Sequence, residues 1–288
     1  MKLKYTLLAL DLDGTLFSSD MRILPLTKKV ILDAIRDGLA VTLATGRSFT
    51  FAKEVAKELA IEAPLITHDG ALVAAQLDHP LSMHKLSNST VQKIIKILLA
   101  YPLRFELQHD PLSIVNFKRP LVDPMKSDSY KMLEYLGTRY VSNRDIVSYL
   151  QTSKLEPHKV SVSADTEQML EEVKEALLAH LSDEIRITNA GFGVEIVPKN
   201  ISKAYGLKVL SAALGISPSE IIAIGDNYND LEMFQFAGLS IAMANAPQEV
   251  KNRAKYVTRS NDEDGIAFAI QTFFYGDEIM KEARGLGS

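Results

Sequence analysis

Residues 8–20 read LALDLDGTLFSSD. An apolar run ends in two acids one residue apart, Asp11 and Asp13, followed at once by Gly14 and Thr15. An apolar run without polar alternation is the signature of a strand buried on both faces, as in a parallel sheet. Three further stretches repeat the same pattern: LAVTLATGRS at 39–48, APLITHDGA at 63–71 and EIIAIGDNYND at 220–230. Each ends in a polar turn that contains glycine. Helical periodicity lies between them. TKKVILDAIRDG at 27–38 puts Val30, Ile31, Ala34 and Ile35 on one face, and SKAYGLKVLSAALG at 202–215 does the same with Leu207, Leu210, Ser211 and Leu214. Ser202 is placed to cap the second helix, and Gly38 and Gly215 to end the two. Strands alternating with helices predict a doubly wound α/β domain.

The middle of the chain follows a different pattern. RFELQ and LSIVN pair as short strands, HKVSVSA adds a third, and a helix is expected at Thr166–Leu181. EIRITNAGFGVEIVP reads as a hairpin whose turn is NAGFG. The expected architecture is therefore a Rossmann-like, doubly wound parallel-sheet core interrupted by an α+β unit with its own antiparallel sheet. The core takes residues 1–82 and 196–288 and the insertion takes 83–195, with linkers expected near Leu81–Met83 and Ile196–Pro198.

Bulk composition narrows the function. At 288 residues with 47% hydrophobic side chains, the chain can bury a substantial core. A formal net charge of -4 with no basic run argues against nucleic acid. Cysteine is absent, which excludes a disulfide framework, a thiolate metal site and a cysteine nucleophile. The apolar stretch Tyr5–Leu10 is too short for a signal peptide, and no run reaches bilayer-spanning length, so a cytoplasmic protein without a membrane partner is expected.

In open α/β sheets ligands sit beyond the carboxyl ends of the strands. If the four strands are neighbours, Asp11, Asp13, Thr45, Asp69, Asp226 and Asp230 converge there. So many carboxylates repel one another unless a cation joins them, and an all-oxygen ligand set points to Mg2+. A strand period of two would send Asp11 and Asp13 to one face. One carboxylate can then attack phosphorus while the other moves protons. Thr45 and Gly46, at a strand end that opens a helix, offer a hydroxyl and backbone N–H groups to an anion. Lys203 adds a point charge. The set suits phosphoryl transfer, where positioning and charge neutralisation carry most of the catalysis.

DLDGTL at 11–16, ATGR at 44–47, Lys203 within ISKAYGL and GDNYND at 225–230 resemble, in order, the four motifs of the haloacid dehalogenase superfamily. Asp11 and Thr45 are 34 positions apart, too few for an intervening domain, whereas Thr45 and Lys203 are 158 apart. This resembles the Cof-type phosphatases, whose large α/β cap lies between the second and third motifs. The resemblance implies Asp11 as nucleophile and Asp13 as general acid/base. It implies Mg2+ held by the Asp11 side chain, the Asp13 carbonyl and Asp226. Thr45, Gly46, Lys203 and Asn229 would bind phosphate, and Asp230 would stand behind the ligands. The family often has Asn-Gly where this chain has Asp69-Gly70. Arg47 is open to two readings, a helix-surface residue or a phosphate contact. His68 and His109 show no metal-ligand spacing and read as hydrogen-bonding histidines. The implied activity is Mg2+-dependent hydrolysis of a small phosphorylated metabolite, a sugar phosphate or a phosphorylated cofactor, through an aspartyl phosphate. A phosphomutase would use the same motifs. A non-catalytic sensor of such a metabolite would not need the acid/base.

Overall fold

The computed structural model describes residues 4–117, 138–190 and 193–276. Five strands form a wholly parallel sheet: β1 (Leu7–Leu10), β2 (Ala40–Leu43), β12 (Ile221–Gly225), β13 (Leu239–Ala242) and β14 (Tyr256–Val257). The order across the sheet is β14-β13-β12-β1-β2. From β1 the chain first adds β2 on one side and later β12, β13 and β14 on the other. The carboxyl ends of β1 and β12 thus flank the topological switch point, where such sheets bind ligands.

The unbroken apolar run of β1 follows from this position. Leu8 and Leu10 pack on one face with Ile31 and Ala34 of the helix Pro25–Arg36 and Ile270 of the helix Gly265–Phe273. Leu7 and Ala9 pack on the other with Leu207 and Leu210 of the helix Lys203–Leu214. All four strand residues are fully buried, each large one contributing about 1.5–3 kcal/mol to stability. Ser202 caps the helix Lys203–Leu214, its hydroxyl accepting from the Tyr205 N–H at 3.2 Å, and Gly215 ends it in the left-handed conformation. Leu214, expected on the apolar face, is exposed in the last turn.

The stretch 63–71 departs from the expected parallel strand. Its strand, β3 (Leu65–Thr67), pairs antiparallel with β4 (Leu72–Ala74), which pairs with β5 (Pro80–Met83). An isolated parallel bridge, Ala44 with Ile66, joins this small sheet to the main one beyond β2, and the Thr45 N–H donates to the Ile66 carbonyl at 2.9 Å. The apolar run of β3 is buried on both faces, Leu65 in the core shared with Phe51 and Val55 and Ile66 in that shared with Leu207 and Leu210, and hydropathy does not register that its second strand partner is antiparallel.

The cap is a six-stranded sheet of order β10-β11-β9-β6-β7-β8. Its strands are β6 (Arg104–His109), β7 (Leu112–Val115), β8 (Thr138–Tyr140), β9 (Lys159–Ser163), β10 (Ile185–Ala190) and β11 (Gly193–Pro198). The pairing is antiparallel except between β7 and β8. Helices Asn88–Leu98, Ile146–Ser153 and Glu167–Leu181 cover one face and share a hydrophobic core running from Leu86 to Ile196. Thr166 caps the last of these helices. The expected linkers are strand instead: Leu81–Met83 belongs to β5 and Ile196–Pro198 to β11. The chain is irregular just beyond each, at 84–87 and 199–202. The β10–β11 hairpin forms as read, with Ala190 opposite Gly193. Gly191 and Phe192 of its turn lie outside the described residues. Among the described residues no helix is long and apolar enough to cross a membrane.

Candidate active site

Strand β1 stops at Leu10, one residue before the first acid. Residues Leu12–Leu16 then turn tightly, with Gly14 at φ 76°. Asp11 and Asp13 therefore do not share a strand face, contrary to the period-two expectation. Asp11 is buried, and its Oδ1 accepts from Lys203 Nζ at 2.7 Å. Asp13 is half-exposed and faces Arg47, whose Nε and a terminal nitrogen donate to its two oxygens at 2.8 and 2.7 Å. Arg47 is thus oriented toward the second acid, and its guanidinium lies 4.8 Å from the Phe51 ring centre.

Strand β12 delivers the last motif beside the first. Thr15 Oγ1 donates to Asp226 at 2.8 Å. A Cβ on Gly14 would fall 2.4 Å from an Asp226 oxygen, so only glycine lets the turn lie this close. Asp230 is fully buried. Its Oδ1 accepts from Lys203 at 2.7 Å, and its Oδ2 accepts the N–H groups of Asp226 and Asn227, each at 3.0 Å. Both oxygens are committed to holding the loop and the lysine.

Carboxylate oxygens of Asp11, Asp226 and Asp230 can all lie within 4.8 Å of one another. Burial, then the Asp230 charge, pushes Asp226 up to about 6. Burial also raises Asp11 well above the usual carboxylate range, against the pull of Lys203. The Asp230 and Asp226 charges add to the rise of Asp11. Lys203, held fully charged by Asp11 and Asp230 despite its burial, supplies one positive charge to three acids. A divalent cation with hard-oxygen preference fits this donor set by balancing the acids that a single lysine leaves uncompensated.

The opposite wall comes from two loops. Thr45 and Gly46 do not open the next helix. Strand β2 ends at Leu43 and helix Phe49–Glu58 begins three residues after Gly46, capped by Ser48. The buried Thr45 hydroxyl accepts the Arg47 N–H at 3.1 Å. The Asp69 N–H donates to the Thr45 carbonyl and the His68 N–H to the Arg47 carbonyl, both at 3.0 Å, lacing the loops together. Asp69 adopts a left-handed backbone, φ 55°. Its Oδ1 accepts from Asn229 Nδ2 at 2.9 Å and its Oδ2 from Lys159 Nζ at 3.0 Å. Burial alone would raise Asp69, but Lys159, Lys203 and Asn229 outweigh it and hold it below the usual range.

Two elements of this site, Lys159 and Asp110, carry no sequence signal, and a third, His68, has the hydrogen-bonding role read for it. Lys159 reaches in from cap strand β9 and also pairs with Glu195 of β11 at 3.0 Å. Asp110, at the β6–β7 turn, accepts the N–H groups of Phe49 and Thr50 at 2.8 and 3.2 Å and so caps the core helix from the other unit. His68, fully buried, joins Asp110 through Nε2 and Gln108 through Nδ1, and stacks on His158 at 4.8 Å. Burial, then His68, lowers His158 to about 3, so it is neutral at physiological pH. His68 serves as a hydrogen-bonding link between cap and core, whereas the buried Nδ1 of His109, read as a hydrogen-bonding histidine, has no hydrogen-bond partner among the described residues.

Comparison with known proteins agrees with this geometry. Residues 8–270 match the haloacid dehalogenase-like hydrolase family. The stress response protein YhaX of Bacillus subtilis is 34% identical over 282 residues, covering 93% of this chain and 93% of that protein. A 5-amino-6-(5-phospho-D-ribitylamino)uracil phosphatase, YwtE, of the same organism is 29% identical, covering 93% of this chain and 98% of that protein. The crystal structure of a haloacid dehalogenase-like hydrolase from Bacteroides thetaiotaomicron superposes with a TM-score of 0.79 at 29% identity, over 94% of this chain and 100% of that one. With the cap inserted between its second and third motifs, as in the Cof-type arrangement, the chain is an enzyme that belongs to the haloacid dehalogenase-like hydrolases.

Proposed function

We propose that this protein is a Mg2+-dependent phosphatase of small phosphorylated metabolites that works through an aspartyl phosphate on Asp11. The observation that carries the reading is the buried Asp11 at the sheet's switch point, with Lys203 on one oxygen and Asp226 alongside. Asp11, Asp226 and the Asp13 carbonyl would hold the metal. When bound, Mg2+ neutralises charge on the phosphoryl oxygens. The Asp11 carboxylate attacks phosphorus, and the ester P–O bond breaks. Asp13 gives its proton to the departing alcohol oxygen. Asp13 then takes a proton from water, whose oxygen attacks phosphorus and frees Asp11 and inorganic phosphate. Protonating Asp13 weakens the grip of Arg47, so that pair must loosen as the proton moves. Lys203, Thr45, the Gly46 turn and Asn229 orient the phosphoryl group. The cap, residues 83–195 in this reading against a core of 1–82 and 196–288, closes over the organic part and excludes bulk water.

Release of inorganic phosphate from a panel of esters tests the proposal. The panel holds sugar phosphates, pyridoxal phosphate, flavin mononucleotide and the ribitylaminouracil phosphate named for YwtE. With Mg2+ at least one ester is expected to turn over. Chelation should lower that rate by more than about 100-fold while the circular dichroism spectrum holds. Oxygen sites bind Mg2+ modestly, so the loss should reverse on adding it back. Unchanged turnover after exhaustive chelation, with elemental analysis showing no bound metal, removes Mg2+ from the reading. Failure to release phosphate from any ester removes the phosphatase.

A further inference from the structure

Lys159 belongs to the cap, yet its ammonium is 2% exposed and sits in the core wall of the site. It donates to the Gly46 carbonyl and to Asp69, and it pairs with Glu195, which is itself held by the Ser161 hydroxyl at 2.7 Å. Gly46 lies in the second motif. Asp69 is bonded to the Thr45 carbonyl through its N–H and to Asn229 through its carboxylate. One cap side chain thus ties the second-motif loop, the 68–70 loop and, through Asp69, the last-motif loop. A Cβ on Gly46 would meet Lys159 Nζ at 3.0 Å and an Asp69 oxygen at 3.1 Å, so the three groups are closely packed.

The charge balance gives this contact its meaning. Asp69 places a carboxylate in the wall that Thr45, Gly46 and Asn229 form. An unpaired anion there repels a phosphate dianion, and the low-dielectric surroundings magnify the repulsion. We propose that Lys159 is a positioning residue for the phosphoryl site: carried in by the cap, it neutralises Asp69 and fixes the Gly46 turn, so that the anion-binding wall is complete only when the cap is closed. The inference rests on the phosphatase reading above. It makes residues 69 and 159 a matched pair, in which an acid in the core requires a lysine in the cap.

A charge-removal cycle tests this. Lys159→Met should raise KM, and the inhibition constant of inorganic phosphate, by at least about 10-fold, with kcat changing by less than about 3-fold. Adding Asp69→Asn should bring both constants back to within about 3-fold of the parent, because an amide needs no neutralisation. A purely structural contact predicts the opposite for the double variant, which loses both sides of it. Should Lys159→Met not fold, Lys159→Gln replaces it, keeping an N–H donor for Gly46 without the charge. Constants within 3-fold of the parent in the single variant overturn the proposal, as does a double variant as impaired as the single. Binding of inorganic phosphate by calorimetry in Mg2+ separates the two readings. A parent that binds no phosphate and cleaves no ester defeats the phosphatase reading, and this inference with it. A working parent whose phosphate affinity ignores residue 159 defeats this inference alone.

Discussion

Replacing Asp11 with Asn is expected to lower turnover by at least about 10⁴-fold, a barrier increase of roughly 5.5 kcal/mol, while the protein stays folded. The carboxylate at this position directly follows strand β1 and is buried with Lys203 at 2.7 Å. An amide has nearly the same shape, so the packing of Leu10, Leu12 and Leu16 around it is kept. Its carbonyl still accepts from Lys203. It lacks the lone-pair basicity to attack phosphorus, and it is a poorer metal ligand. Because burial already penalises the charged form of Asp11, removing the charge should not destabilise the fold. The melting temperature is expected to hold or rise in chelator. Initial rates on the best ester of the panel, measured beside a thermal melt, check both halves. Turnover within about 10-fold of the parent would exclude Asp11 as the nucleophile.

The placement of Asp11 was legible because several independent signals coincide there. The apolar run, the two acids and Gly14 all fall within eight residues, and the spacing to Thr45, Lys203 and Asp226 repeats a family order. The parallel core was legible for the same reason that β1 is apolar throughout: both of its faces are buried. Strand β3 carries an equally apolar run and reads as one of four parallel neighbours; it keeps a single parallel bridge and pairs antiparallel with β4, since hydropathy reports burial but not which partner provides it. Strand β1 ends three residues short of Asp13, which is enough to send Asp13 to Arg47 instead of alongside Asp11. The cap contacts were invisible. Lys159, Gln108 and Glu195 stand on strands where polar residues alternate with apolar ones, and alternation cannot distinguish a side chain facing water from one facing another domain. Asp69 was recognisable as a departure from the family's usual amide, but its meaning lies in a lysine 90 positions away.

Replacing Lys203 with Met is expected to damage both activity and stability, and to do so in a way that depends on pH. The ammonium is 1% exposed and holds Asp11 and Asp230 at 2.7 Å each. Removing one member of a buried ion cluster typically costs about 3–5 kcal/mol, because the charges left behind have lost both water and partner. Loss of a preorganised cation at the phosphoryl site should cost at least about 100-fold in turnover on top of this. The pH dependence follows from linkage. Asp11 is already raised in the folded parent, and without Lys203 it rises further. A carboxyl whose folded value exceeds its unfolded value of about 4 favours the folded state when protonated, and that contribution is lost as pH climbs through the folded value. Lysine itself does not titrate in this range. The stability gap between parent and variant should therefore widen from pH 5 to pH 8, measured by chemical denaturation in chelator so that metal does not mask the acids. Adding Asp230→Asn should recover much of the lost stability, since the amide oxygen can still accept the N–H groups of Asp226 and Asn227. It should recover none of the activity, because the cation remains absent. A gap that is constant or narrows with pH would mean that Lys203 does not neutralise these acids in the folded protein. A double variant that regains turnover would show that its role is to relieve Asp230 rather than to serve the phosphoryl group.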